Sequence, residues 1–404
     1  MLDAAILLAW AEFAVRWLHV VTAIAWIGSS FYFIALDLGL HRDRQLASGA
    51  DGEEWQVHGG GFYHVQKYLV APGSMPSDLV WFKWESYWTW ISGFSLLVLV
   101  YYLGGELYLV DPAVADLAVW QAVGISLLSL AFGWVAYDRL CRATVNLHPT
   151  ILMVALFGVI VGMALFYTSV FSGRAALLHL GAFTATIMTG NVFFVIMPNQ
   201  RIVVADLVAG RQPDAKYGKI AKQRSTHNNY LTLPVIFLML SNHYPLAFGG
   251  PNAWIIASLV FLMGVTIRHW FNTTHARAGK PHWTWAATAL LFVLVAWLSV
   301  PAATAEPTEA ALTPEARRFA EAPGFEAARD VVLGRCAMCH NAQPFWDGIL
   351  WAPKGVRLDT EAEVARQARA IYLQAGVTRA MPPANVSGIT EEERALIRAW
   401  FKGA

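Results

Sequence analysis

Between residue 13 and about residue 300 the sequence is a succession of apolar, tryptophan-rich runs, and eight of them are long enough to cross a bilayer. A spanning helix needs about 20 mostly apolar residues, and the runs lie at approximately 13–40, 86–108, 117–138, 150–171, 175–198, 228–248, 253–272 and 283–301. The composition points the same way. Of the 404 residues 56% are apolar and 14% are charged, against roughly 25% charged in an average globular chain. An ordinary soluble enzyme is excluded. With 29 Lys and Arg against 28 Asp and Glu, no overall basic field exists to attract nucleic acid.

The loops between the runs alternate in charge. Arg42, Arg44, Lys67 and Lys83 lie in the first, Arg139 and Arg142 in the third, six cations from Arg201 to Arg224 in the fifth, and Arg277 and Lys280 in the seventh. The other loops hold only Arg174. Basic loops stay in the cytoplasm, so this pattern predicts a multi-pass membrane protein with both termini on the outer side. The N-terminus lacks a basic start and a small-residue cleavage site, and the first helix is expected to do the targeting itself.

The character of the chain changes near residue 301. We expect a membrane domain over 1–301, a flexible linker rich in Pro, Ala, Thr and Glu over 302–324, and a small helical domain over 325–404. Helices are predicted at Phe325–Gly334 and Thr390–Lys402; the second opens with Glu391, Glu392 and Glu393, where the helix dipole favours acids. The fold class is thus all-α. Aligning Tyr87 with Tyr230 also pairs Thr89 with Thr232, Phe94 with Phe237, Leu97 with Leu240 and Tyr101 with Tyr244. The alignment suggests two parallel four-helix halves, with recurrent aromatic and aliphatic composition as the alternative.

In the tail stands Cys336-Ala337-Met338-Cys339-His340. Two thiols three positions apart on a helical turn can reach both vinyl groups of a haem, and the following histidine then lies beneath the iron. Met381, in a proline-stiffened loop, is the expected second axial ligand, and His/Met ligation raises the reduction potential. Met338, inside the motif, is badly placed for that role. Cys141 is read as a small packing residue.

Polar residues inside spanning segments usually mark a pathway or a site. His19, His179 and His243 fall toward the outer face, whereas His148, His227, His269, His275 and His282 fall toward the cytoplasm. His19 and His179 are candidate ligands of a second, non-covalent haem b, or hydrogen-bonding groups for a polar substrate. Ser225-Thr226-His227-Asn228-Asn229-Tyr230 is either a substrate clamp or a helix cap with an interfacial tyrosine.

The chain as a whole resembles a known family. Trp81-Phe82-Lys83-Trp84-Glu85-x-Tyr87-Trp88-Thr89-Trp90, Gly190-Asn191-Val192-Phe193-Phe194-Val195-Ile196-Met197-Pro198 and Ser241-Asn242-His243-Tyr244-Pro245, followed by Cys336-x-x-Cys339-His340, look like the membrane-bound cytochrome c urate oxidases, or urate hydroxylases. The resemblance implies oxidation of urate to 5-hydroxyisourate. Electrons would pass to one covalent haem c and on to a respiratory acceptor such as a soluble cytochrome c or a terminal oxidase, without hydrogen peroxide. On this reading His19, His179 and His227 serve as bases or haem ligands, and Asn191, Asn229, Asn242 and His243 are substrate contacts. The alternative is a respiratory subunit that oxidises quinol or relays electrons; a transporter is a third reading.

Overall fold

The computed structural model describes residues 4–68, 76, 78–144, 148–300, 312–349 and 351–404. Eight helical runs form the N-terminal bundle: α1 (Ala4–Gly39), α2 (Trp84–Leu96, prolonged by a π-helical stretch Leu97–Tyr102), α3 (Val119–Ala143), α4 (Pro149–Thr168), α5 (Gly173–Val208), α6 (Ala215–Ser241), α7 (Ala253–His275) and α8 (Trp283–Leu298). Each overlaps one of the eight apolar runs, but α6 spans 215–241 where the sequence places its run at 228–248, and the second helical run ends at 102 rather than 108. Five, namely α1, α3, α4, α5 and α7, are long and apolar enough to cross a membrane by length and composition. Helix α6 begins with the charged turns carrying Lys216, Lys219 and Lys222.

Local chemistry sets several of the starts. Ser172 accepts from the Ala175 amide at 3.3 Å to cap α5, and Asp214 accepts from the Lys216 amide at 2.9 Å to cap α6. Proline opens α4 at its first position, where no donor is lost. Helix α5 is the hub, with 72% of its apolar stretch buried, against 6% for α1. It packs on α2, α3, α4, α6 and α7. Close approach to α3 depends on glycine: a Cβ on Gly133 would stand 2.1 Å from the Phe183 ring, and one on Gly190 2.6 Å from Trp134. Within α5 the ladder widens to a π-helical turn at Asn191–Ile196, a distortion frequent at functional sites.

An element that the sequence analysis did not foresee follows α1. Strands β1 (Ala50–His58) and β2 (Gly61–Tyr68) pair antiparallel with Trp55 opposite His64. Gly59 and Gly60 turn the hairpin at φ +60 and +79, the left-handed region that glycine reaches without strain. The Tyr32 hydroxyl donates to Gln56 at 2.8 Å and ties the hairpin to α1.

In the tail, α9 (Pro314–Ala320), α10 (Phe325–Arg335), α11 (Glu361–Arg366) and α12 (Glu391–Gly403) enclose a core that includes Phe319, Phe325, Val332, Leu358, Ile397 and Trp400. Trp400 Nε1 donates to the Phe319 carbonyl at 2.8 Å. This corrects part of the expected 302–324 linker. Pro314–Ala320 is helical because Thr313 caps it, with Pro314 at the first position, and Phe319 anchors it in the tail core. Residues 302–311 of that linker lie outside the described residues.

Candidate functional site

One cavity, of about 710 Å³, lies between the tail and one end of the bundle. The tail lines it with Cys336, Cys339, His340, Met381 and Met338, and the bundle with Arg16, Leu99, Tyr108, Arg174 and His243, among others. Both motif cysteines are free thiols. Burial pushes the Cys336 thiol up to about 11 and holds the His340 imidazole below its usual range, so both are neutral at pH 7. His340 Nδ1 lies 2.8 Å from the Val356 carbonyl. A carbonyl only accepts, so the proton resides on Nδ1 and Nε2 is left with its lone pair.

The opposite wall is equally determined. Arg394, buried at 4% exposure, donates from one nitrogen to the carbonyls of Ala375, Thr378 and Met381 at 2.5, 3.3 and 3.0 Å. Arg335 donates to the Ser387 carbonyl at 2.9 Å and pairs with Glu393 at 2.9 Å. The loop that presents Met381 is thus fixed by two arginines. Two free thiols, an imidazole with an unprotonated nitrogen and a thioether around a cavity of ligand-site volume suit a covalently attached haem.

Deeper in the bundle, polar side chains meet where α3, α5 and α6 touch. Asn191 Nδ2 donates to the Tyr137 hydroxyl at 3.0 Å and to Asn228 Oδ1 at 2.9 Å. Tyr137 in turn bonds His227 Nδ1 at 2.7 Å. Beside them Arg224 pairs with Asp138 at 2.9 Å, and its guanidinium lies 4.9 Å from the Tyr137 ring centre. Asn191 Oδ1 has no hydrogen-bond partner.

On another side of α6, Asn229 Oδ1 accepts from Arg268 Nε at 3.2 Å and from Asn272 Nδ2 at 3.0 Å, while its own Nδ2 is buried without a partner. Arg268 also donates to Asn272 Oδ1 at 2.9 Å, and its guanidinium covers the Phe31 ring at 4.1 Å. Asn272 faces a second cavity, of about 220 Å³, lined also by Asp37, Lys222, Thr226 and Tyr230. Asp37 pairs with Lys222 at 2.8 Å and with Lys67. The Tyr230 hydroxyl bonds His269 Nδ1 at 3.1 Å.

The residues singled out in the sequence therefore separate into distinct places. Cys336, Cys339, His340 and Met381 meet, and His243 faces the same cavity. Asn191 and His227 share a network, and Asn229 belongs to the Arg268 network. Asn242 donates to the Met239 carbonyl at 2.8 Å at the end of α6. His19 and His179 engage different partners. His19 Nδ1 donates to the Thr89 carbonyl at 3.0 Å, whereas His179 donates to the Ala175 carbonyl at 2.8 Å and accepts from Ser126 at 2.9 Å.

The family described as urate oxidase N-terminal matches residues 5–299. The chain belongs to that family. No curated protein and no solved structure matches. The matched region covers the bundle α1–α8 and the hairpin, while the tail lies beyond the match. Sequence reasoning missed Tyr137, Arg268, Asn272 and Arg394. Arg268 and Asn272 carried a signal, as polar residues inside the apolar run 253–272.

Proposed function

We propose that this protein oxidises urate to 5-hydroxyisourate in the bundle and delivers the electrons to a haem c borne by Cys336 and Cys339, with His340 and Met381 on the iron. The observation that carries this reading is the pairing, in one chain, of a urate oxidase N-terminal bundle with a tail whose thiols, imidazole and thioether open onto the bundle itself. The reaction balances as urate plus water giving 5-hydroxyisourate, two protons and two electrons. A haem held by Cys336, Cys339, His340 and Met381 would supply a one-electron acceptor, used twice per turnover, so that hydrogen peroxide need not form. The bundle lies in the bacterial inner membrane with the tail on the periplasmic side, where a soluble cytochrome c or a terminal oxidase takes the electrons.

The cavity of about 220 Å³ has room for a small planar ring. It lies where α1 and α7 end and α6 begins, at the other end of the bundle from the tail, so the electrons would cross the length of the bundle to reach Cys336 and Cys339. Lys222, shared with Asp37 at 2.8 Å, offers a cation for the urate anion, Asn272 an amide for a ring carbonyl, and Tyr230 a hydroxyl through which a proton passes to His269 Nδ1, 3.1 Å away. Arg268 and Asn229 stand behind Asn272 and fix its amide. The test is anaerobic. Urate is added to the detergent-purified protein while the c-type absorption band and the urate absorbance are followed. Reduction of the band with loss of urate is the expected result. Reduction by a quinol but not by urate would overturn the reading in favour of a respiratory subunit.

A further inference from the structure

Two arginines on the large cavity lack the anion that their positions call for. Arg174 opens α5 in the bundle, and Arg369 follows α11 in the tail. Both line the cavity that holds the haem-attachment residues, and in both the Nε atom is buried with no hydrogen-bond partner. Among the described residues no carboxylate lies within ion-pair distance of either. The cavity's own acids are otherwise disposed. Glu12 pairs with Arg16 at 2.5 Å, Glu106 accepts from the Glu315 amide at 3.2 Å, and Glu315 lies within the field of Arg369 without touching it. Tyr108 feels both cations: the Arg174 guanidinium lies 4.8 Å from its ring centre, and the charges of Arg369 and Arg16 reach it as well. Both side chains are half-buried, but a sealed N–H without an acceptor is costly, and a guanidinium fork matches a carboxylate in two parallel hydrogen bonds.

We propose that Arg174 and Arg369 receive the two carboxylates of the tetrapyrrole attached at Cys336 and Cys339, so that the prosthetic group itself fastens the tail to the bundle. The inference rests on the haem half of the proposed function and is independent of urate. Its consequence is electrostatic. A cation held against the haem edge favours the reduced, less positive iron, and Arg174 gives the membrane domain a hand in the potential of a centre that the tail alone ligates.

The test is a redox titration of the full-length protein in detergent, with the haem band as signal, for wild type, Arg174→Gln, Arg174→Lys and Arg369→Gln. Arg174→Gln and Arg369→Gln should each lower the midpoint potential, and Arg174→Lys should return most of the loss. Pyridine haemochrome content and the melting curve show which variants are folded and loaded. If Arg174→Gln misfolds, Arg174→Lys compared with wild type at low and high salt replaces it, since a weaker, non-bidentate pair is more readily screened. A wild-type potential in loaded Arg174→Gln, or a shift confined to Arg369→Gln, would overturn the clamp. Wild-type protein without a c-type spectrum would instead sink the haem reading on which the clamp stands.

Discussion

Arg394 of α12 donates to the carbonyl oxygen of Met381 at 3.0 Å, and the same nitrogen holds the carbonyls of Ala375 and Thr378. One buried cation thereby fixes the loop that presents the proposed thioether ligand. Arg394→Ala leaves these acceptors without their charged donor, and a buried acceptor that loses its partner costs about 1–3 kcal/mol. The tail should lose about 3 kcal/mol in urea unfolding followed at the haem band. The far-red absorption typical of a thioether-bound ferric haem should weaken in the same variant. Unchanged absorption would separate Met381 from the iron.

Glu363 makes the stability of the tail depend on pH. Burial and the adjacent Asp359 raise its carboxyl to about 7, above the ordinary value of about 4.3 in an unfolded chain. Between these two values the folded tail binds more protons than the unfolded one, so its stability falls as pH rises through that window. The melting temperature of the tail, read from haem absorbance, should therefore decline from pH 5 to pH 8. Glu363→Gln should flatten the decline while leaving the helix cap, since the Thr360 hydroxyl accepts from the residue 363 backbone amide at 3.2 Å. A slope that survives the substitution would assign the effect to another group.

How much of this was legible depended on the range of the interactions. The apolar runs announced the eight bundle helices because a spanning segment is written in consecutive residues. Cys336, Cys339 and His340 stood out because the chemistry proposed for them needs a fixed short spacing. The hairpin at Ala50–Tyr68 was legible in principle, through Gly59-Gly60 between pairing segments, but the basic residues around it read as loop. Tyr137 was not legible at all. Its partners Asn191 and His227 lie 54 and 90 positions away on other helices, and a tyrosine in an apolar run looks the same whether it faces lipid or a polar network. The separation of Asn228 from Asn229 is of the same kind: adjacent residues on α6 point to different neighbours because successive side chains on a helix diverge.

The pair Arg224 and Asp138 joins α6 to α3 with only 3% and 12% of the side chains exposed. A buried pair is weak evidence of net stabilisation, yet removing one member leaves a bare charge. Asp138→Ala should cost about 3–5 kcal/mol, read as a lower thermal midpoint of the detergent-purified bundle. Replacing both, as Asp138→Leu with Arg224→Met, should restore most of the loss. Equal losses in the single and double variants would mean that the damage comes from packing rather than from charge.

Arg268 separates a substrate role from a structural one. Its guanidinium holds Asn229 and Asn272 through charge-assisted hydrogen bonds of 2.9 to 3.2 Å and covers the Phe31 ring, while only Asn272 reaches the smaller cavity. Arg268→Gln frees the Asn272 amide to turn. A hydrogen bond to a charged group is worth about 1.5–3 kcal/mol, so KM for urate should rise by roughly 10- to 100-fold, with a smaller change in kcat. Arg268→Lys keeps the charge and loses the fork, and it should fall between the two. Anaerobic reduction of the haem at a series of urate concentrations gives both constants. Should kcat fall while KM stays fixed in Arg268→Gln, the purine does not rest against Asn272, and the network of Asn191, Tyr137 and His227 becomes the site to test.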